Sequence, residues 1–199
     1  MNPLNNIIIV PRQDRIFQMF ERLPFKNIKV VIIGQDPYPG KCIATNTYYA
    51  CGPAFDIPSN VLTCPVSLKN IFSELKREYG LQEKVSMKYI KSTVSSWINQ
   101  GVFLTNVALT RGISGTYLDD HKAFWMQFTI SFVKNISALN CPIVLLGSDA
   151  WKLADHIVSS SPVLKFSHPA SRNKEFEDCK MFTKINNELE CPINWILEK

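Results

Sequence analysis

Apolar and polar positions fall into blocks with two different periods along this chain. Val30-Val31-Ile32-Ile33 is a run of β-branched residues that reads as a strand buried on both faces. It breaks at Gly34, where the backbone can turn sharply, and enters Gln35-Asp36-Pro37-Tyr38-Pro39, a loop stiffened by its prolines. Val102–Leu104 and Ala108–Leu109 flank Thr105-Asn106 in a second strand and its exit. Ile143–Leu146 is a third strand, ending at Gly147-Ser148, and Val163–Phe166 a fourth, ending at Ser167-His168-Pro169. Between strands the spacing changes. Leu68, Ile71, Phe72 and Leu75 share one face of a helix over Ser67–Tyr79, stopped by Gly80. Thr93–Gln100, Phe124–Leu139, Asp149–Val158 and Phe176–Leu189 are further predicted helices. Nearer the start, Ile7–Val10 is open to reading as a strand and Arg15–Leu23 as a short helix. Residues 34–64 read as one loop rich in Gly, Pro, Thr and Asn. Structureless loops of that length are uncommon in compact domains, so its length points to function.

Strands alternating with helices imply a parallel sheet with right-handed crossovers. The expected fold is α/β: a three-layer sandwich with a central four-stranded, mostly parallel sheet flanked by helices, in a single domain over 1–199. Parallel strands put their carboxyl ends on one edge, where open α/β sheets bind ligands. Gln35-Asp36, Thr105-Asn106, Gly147-Ser148 and His168 would then gather on one rim. Each also has an ordinary reading. Asp36 suits a turn cap, Asn106 a strand-end amide bonding its own backbone, and His168 a turn histidine held by backbone groups.

Composition narrows the function classes. Of 199 residues, 46% are hydrophobic and 20% charged, as expected of a globular protein with a substantial core. The apolar runs are too short to span a membrane, no secretory signal opens the chain, and Met1-Asn2-Pro3 lacks the glycine of a myristoylation site. Six cysteines (Cys42, Cys51, Cys64, Cys141, Cys179, Cys191) are widely spaced, form no Cys-x-x-Cys, and do not pair with His121, His156 or His168. That disfavours zinc and iron–sulfur ligation and points to reduced, mostly buried thiols in an intracellular protein. A net charge of +5 is compatible with a polyanionic partner, although no block of like charge stands out.

Taken in order, these segments resemble family 1 uracil-DNA glycosylases over roughly Lys26 to Trp195. Gly34-Gln35-Asp36-Pro37-Tyr38 is similar to that family's water-activating motif, and Gly52-Pro53-Ala54-Phe55 to its uracil-stacking segment. Pro65-Val66-Ser67-Leu68-Lys69-Asn70 resembles its proline-rich phosphate loop, and Gln100-Gly101-Val102-Phe103-Leu104-Thr105-Asn106 its base-reading strand. Gly147-Ser148 resembles the Gly-Ser loop, His168-Pro169 the segment that compresses the DNA backbone, and Pro192-Ile193-Asn194-Trp195 a family ending. Two departures stand out. Pro39 replaces the usual His, and His168-Pro169-Ala170-Ser171-Arg172-Asn173 replaces the usual His-Pro-Ser-Pro-Leu-Ser, losing the leucine wedge and a serine. With the closing Pro-Ile-Asn-Trp, these look like the poxvirus-type branch, in which the glycosylase also serves in a polymerase processivity factor.

The resemblance implies hydrolysis of the N-glycosidic bond of deoxyuridine in DNA, releasing uracil and leaving an abasic site, with no metal or cofactor. Asp36 would steady the cationic sugar and orient water, and His168 would hydrogen-bond uracil O2. Asn106 would read the uracil edge, Tyr38 exclude the thymine methyl, Phe55 stack on the base, and Gln35 complete the substrate set. Pro65, Ser67, Gly147, Ser148, Pro169 and Ser171 would hold DNA, with Arg172 near the wedge position. Expected partners are single- and double-stranded uracil-containing DNA and, for a poxvirus-like protein, a replication or processivity protein. The protein itself would be a monomer or weak homodimer, placed in the nucleus or cytoplasm according to source, or in host cytoplasm if poxvirus-like. The rival readings are a catalytically weak, glycosylase-derived DNA-binding subunit of a processivity factor and an iron–sulfur glycosylase. A generic nucleotide-binding protein is more distant, since no Gly-rich phosphate loop follows a strand.

Overall fold

Residues able to pack on both faces take the centre of the fold. The computed structural model describes residues 8–82, 85–113, 118–158 and 160–197. Its chain begins with β1 (Ile9–Val10), α1 (Gln18–Arg22) and β2 (Val30–Gly34), followed by β3 (Lys41–Cys42) and β4 (Thr47–Tyr48). Next come α2 (Val66–Tyr79), α3 (Met87–Asn99), β5 (Val102–Asn106), β6 (Arg111–Gly112) and α4 (Leu118–Ser137). The chain closes with β7 (Ile143–Leu146), α5 (Ser148–Trp151), β8 (Val163–Phe166) and α6 (Met181–Asn187).

The central sheet has four strands in the order β5-β2-β7-β8, and every pairing in it is parallel. Helices flank it in a three-layer α/β sandwich. All residues of β2, β5 and β7 are buried, as strands covered on both faces require. The edge strand β8 carries the exposed Lys165, which blunts an otherwise open edge. Ile33 pairs with Thr105 and Gly34 with Asn106, so the ends of β2 and β5 stop level with each other. Trp97 joins the far side of the core to the chain end. It stacks on Phe72 at 5.5 Å, meets Trp195 edge-on, and donates from Nε1 to the Trp195 carbonyl at 2.9 Å.

Several boundaries differ from the periodicity, each for an identifiable reason. The strand expected within Ile7–Val10 is β1, antiparallel to β6, while Ile7 lies outside the described residues. The long loop contains a small hairpin, β3 with β4. Helix α3 starts well before Thr93 because Ser86 caps it, accepting from the Tyr89 N–H at 3.1 Å. Helix α4 starts before Phe124 with Asp119 and Asp120 in its first turn, polar residues that leave no apolar stripe to read. The Asp149–Val158 helix is a single turn, α5, followed by a 3-10 turn at Ala154–His156. Trp151 folds back there, its indole N–H bonding the carbonyls of Leu145 and Phe166.

The Phe176–Leu189 helix begins only at Met181. Lys174, Asp178 and Lys180 adopt left-handed backbone, and two carboxylates of α2 take up the N–H groups released. Glu74, 1% exposed, accepts from the N–H groups of Asp178 and Lys180, both at 2.8 Å. Glu78 accepts from those of Phe182 and Thr183, capping α6 from another helix. The cysteines are all free, but only Cys42 and Cys141 are buried and Cys191 is exposed, so the expectation of mostly buried thiols is corrected.

Candidate active site

Strand register builds the site. Because Gly34 lies opposite Asn106, the Asn106 side chain crosses the end of β2, and Phe55 closes over the same spot. A Cβ on residue 34 would stand 2.5 Å from Asn106 Oδ1 and 2.8 Å from Phe55 Cζ, so only glycine fits. Backbone bonds from Val107 N to Gly34 O and Ala108 N to Gln35 O then hold the two strand exits together. Beyond them opens a cavity of about 310 Å³, lined by Asp36, Tyr38, Phe55, Ser67, Asn106 and His168 among others. Side chains 132 positions apart thus meet in one hollow.

Asp36 is nearly buried, its side chain 9% exposed. Burial pushes its carboxyl above the ordinary carboxylate range, against the opposing pull of Arg111, Lys122 and His168. Arg111 is its direct partner, a guanidinium N–H donating to Asp36 Oδ2. The remaining Arg111 Nε is buried without a partner among the described residues.

His168 accepts at Nδ1 from the Ala170 N–H at 3.1 Å. Burial lowers its pKa, with Asp36 pulling the other way, so the ring is neutral at ordinary pH. With Nδ1 accepting, this assignment places the ring proton on Nε2. Gly147, at φ 91°, leaves room for this histidine: a Cβ there would approach His168 Cβ to 2.9 Å. Asn70 fixes the same loop by donating to the Pro169 carbonyl at 2.7 Å.

Tyr38 packs edge-on against Tyr49 at 6.3 Å, and its hydroxyl is buried without a well-formed hydrogen bond. Burial holds the phenol protonated far above its ordinary range. Pro37 is buried beside it, whereas Pro39 is exposed. Phe55 is 6% exposed and sits at φ 61°, an unusual backbone for a large side chain. Pro65 is the residue before α2, and Ser67 is buried in its first turn.

The remaining candidates are arranged differently. Gln35 does not line the cavity; its carbonyl joins the strand exits. Gly147, Ser148, Pro169, Ser171 and Arg172 also lie outside the lining and form the ground around His168. There Ser148 and Arg172 are exposed, Ser171 is half-buried, and Pro169 is buried. Sequence reasoning missed Arg111. Its place depends on β6 pairing with β1, Val10 opposite Arg111, a contact no local pattern announces.

Comparison with known proteins bears on the family and the fold. Residues 20–190 match the family model described as the uracil DNA glycosylase superfamily. The uracil-DNA glycosylase of Buchnera aphidicola subsp. Cinara cedri is 35% identical over 207 residues, covering 99% of this chain and 86% of that protein. That of Mycoplasmopsis pulmonis is 37% identical, covering 99% and 87%. Among solved structures, mimivirus uracil-DNA glycosylase superposes with a TM-score of 0.82 at 29% identity, covering 96% of this chain and 76% of that one. A whole-length sequence match and a shared fold, around a pocket at the sheet edge, place this chain in the uracil DNA glycosylase superfamily.

Proposed function

We propose that Asp36 and His168 divide between them the two charges that uracil excision creates. The chain is a hydrolytic uracil-DNA glycosylase that acts on DNA in base excision repair. Breaking the bond between C1′ and N1 leaves its electron pair on uracil and a cationic sugar behind. Water then supplies hydroxide to C1′, and its proton passes to Asp36 or solvent, while uracil leaves as the anion and is protonated in water. Ionised Asp36 steadies the cation and orients that water. Neutral His168 donates its Nε2 proton as a hydrogen bond to uracil O2, where negative charge gathers. The observation that carries this reading is the convergence of Asp36, Asn106 and His168 on one cavity of about 310 Å³.

Selectivity follows from the walls. Asn106 pairs its amide with uracil O4 and N3. Cytosine inverts that pattern, and a site left with unpaired polar groups can reject the wrong base by roughly 10⁴–10⁵. Tyr38 stands where the thymine methyl would go, backed by Pro37 and Tyr49. A ring packed this tightly does not yield to an added methyl. Phe55 stacks on the base, which must leave the duplex to reach it. The rim residues Pro65, Ser67, Gly147, Ser148, Pro169 and Ser171 hold the phosphates of single- or double-stranded DNA, and exposed Arg172 contacts the backbone or minor groove.

Pro39 and the His168-to-Asn173 segment support a poxvirus-type variation of the family, in which Arg172 takes over from an apolar wedge. The same departures are what a processivity role would rest on. A catalytically weak subunit, however, has no need to keep a carboxylate, an amide and a neutral imidazole in one pocket. Release of labelled uracil from a defined oligonucleotide tests the assignment. Asp36→Asn should cut turnover by orders of magnitude with DNA binding nearly intact, and equal loss of both would remove Asp36 from the chemistry. Arg172→Ala should weaken activity on duplex more than on single strands. Unchanged duplex activity would discard its role at the wedge position.

A further inference from the structure

Phe55 is held in left-handed backbone, which a bulky residue adopts only when its surroundings impose it. Two sets of bonds grip the turn around it. On one side the Ala54 N–H donates to the Leu104 carbonyl of β5 at 3.2 Å. On the other, the Asp56 carboxylate divides its oxygens. Oδ1 accepts from the Ile57 N–H at 2.9 Å, and Oδ2 accepts from Arg22 Nη1 at 2.9 Å. Arg22 is the last residue of α1, 34 positions away, so the bond ties the stacking segment to a separate element. The side chains of Asp56 and Arg22 are 12% and 30% exposed, a partly desolvated pair rather than a loose surface contact.

We infer that Arg22 and Asp56 are positioning residues for uracil recognition: their ion pair holds the turn that presents the Phe55 ring to the base. This rests on the reading of Phe55 as the stacking side chain. Without Arg22, the buried Asp56 carboxylate loses its charged partner and turns outward for water. Its bond to Ile57 N–H goes with it, and on that side Phe55 is left with the long 3.4 Å turn bond from the Asp56 N–H to the Pro53 carbonyl. The ring would relax to ordinary backbone and leave the position facing Asn106 and Gly34. Neither Arg22 nor Asp56 lines the cavity, so any effect on uracil must pass through the turn.

The test is competitive inhibition of uracil release by free uracil, read together with KM and kcat and with binding of undamaged DNA. Arg22→Ala should weaken uracil inhibition about tenfold, on the scale of one base–aromatic stack, and Arg22→Lys should restore most of it. Binding to undamaged DNA should be unchanged, because the base is not flipped there. Phe55→Ala should weaken inhibition similarly, and the double variant should be no worse than either single one. Additive effects of Arg22→Ala and Phe55→Ala would overturn the inference. So would a fall in thermal stability with uracil inhibition unchanged. If Phe55→Ala itself leaves uracil inhibition intact, the stacking role fails instead, whatever Arg22→Ala does.

Discussion

Arg111 sets the working state of Asp36. A carboxylate can steady a cation only when ionised, and burial works against ionisation. Because burial wins overall, Asp36 protonates above the ordinary carboxylate value of 3.8. The acid limb of kcat/KM should therefore lie above that value, activity being lost as pH falls through it. Removing Arg111 removes the largest opposing influence, so Arg111→Met should move this limb toward neutrality while Arg111→Lys keeps most of it in place. A pH–rate profile decides; an unmoved limb would mean that Asp36 owes its ionisation to Lys122 rather than to Arg111. Gly34 offers an independent check. Its replacement by Ala drives a Cβ into Asn106 and Phe55, so uracil release should fall at least about tenfold, and crystallographic comparison should show Asn106 displaced. Asp36 and Asn106 were legible in the chain because each lies at or just past the end of an apolar run that reads as a strand. Arg111 was not, since its role comes from a strand pairing with residues about a hundred positions earlier.

Elements began and ended where side chains from elsewhere satisfied the backbone. Helix α6 has no cap of its own: Lys180 precedes it in left-handed backbone, and Glu78 of α2 accepts from the Phe182 and Thr183 N–H groups and the Thr183 hydroxyl. Glu78→Ala should cost about 1 kcal/mol, the usual worth of a lost cap. The denaturation midpoint should fall with little change in uracil release, since α6 does not line the cavity. Apolar periodicity predicted a longer helix from Phe176 because Phe176 is indeed buried. Burial alone does not say whether the backbone is helical. What stops the helix is Glu74, whose two carboxylate oxygens accept from the backbone N–H groups of Asp178 and Lys180. Helix α3 shows the converse, its start at Met87 set by its own Ser86 cap, ahead of the expected start at Thr93.

Stability and chemistry occupy different ends of the molecule. The Phe72–Trp97–Trp195 cluster, with Phe182 at 5.0 Å from Trp195, closes the core remote from the cavity lining. Trp195→Ala should cost about 3–5 kcal/mol, measured by denaturant unfolding, with uracil selectivity unaltered in the molecules that remain folded. The strand order shows why so much of the architecture could be anticipated. Short apolar runs separated by amphipathic segments admit few arrangements other than a parallel sheet, and a parallel sheet aligns its carboxyl ends. Sheet and rim thus followed from local pattern, which set Asp36, Asn106 and His168 at strand ends, while their roles were what the resemblance of their motifs to a known family implied. The Asp36–Arg111 pair, the Arg22–Asp56 tie, the displacement of Gln35 from the cavity and the late start of α6 did not. Each is a hydrogen bond or charge contact between distant segments, and such contacts exist only once the hydrophobic core has brought those segments together.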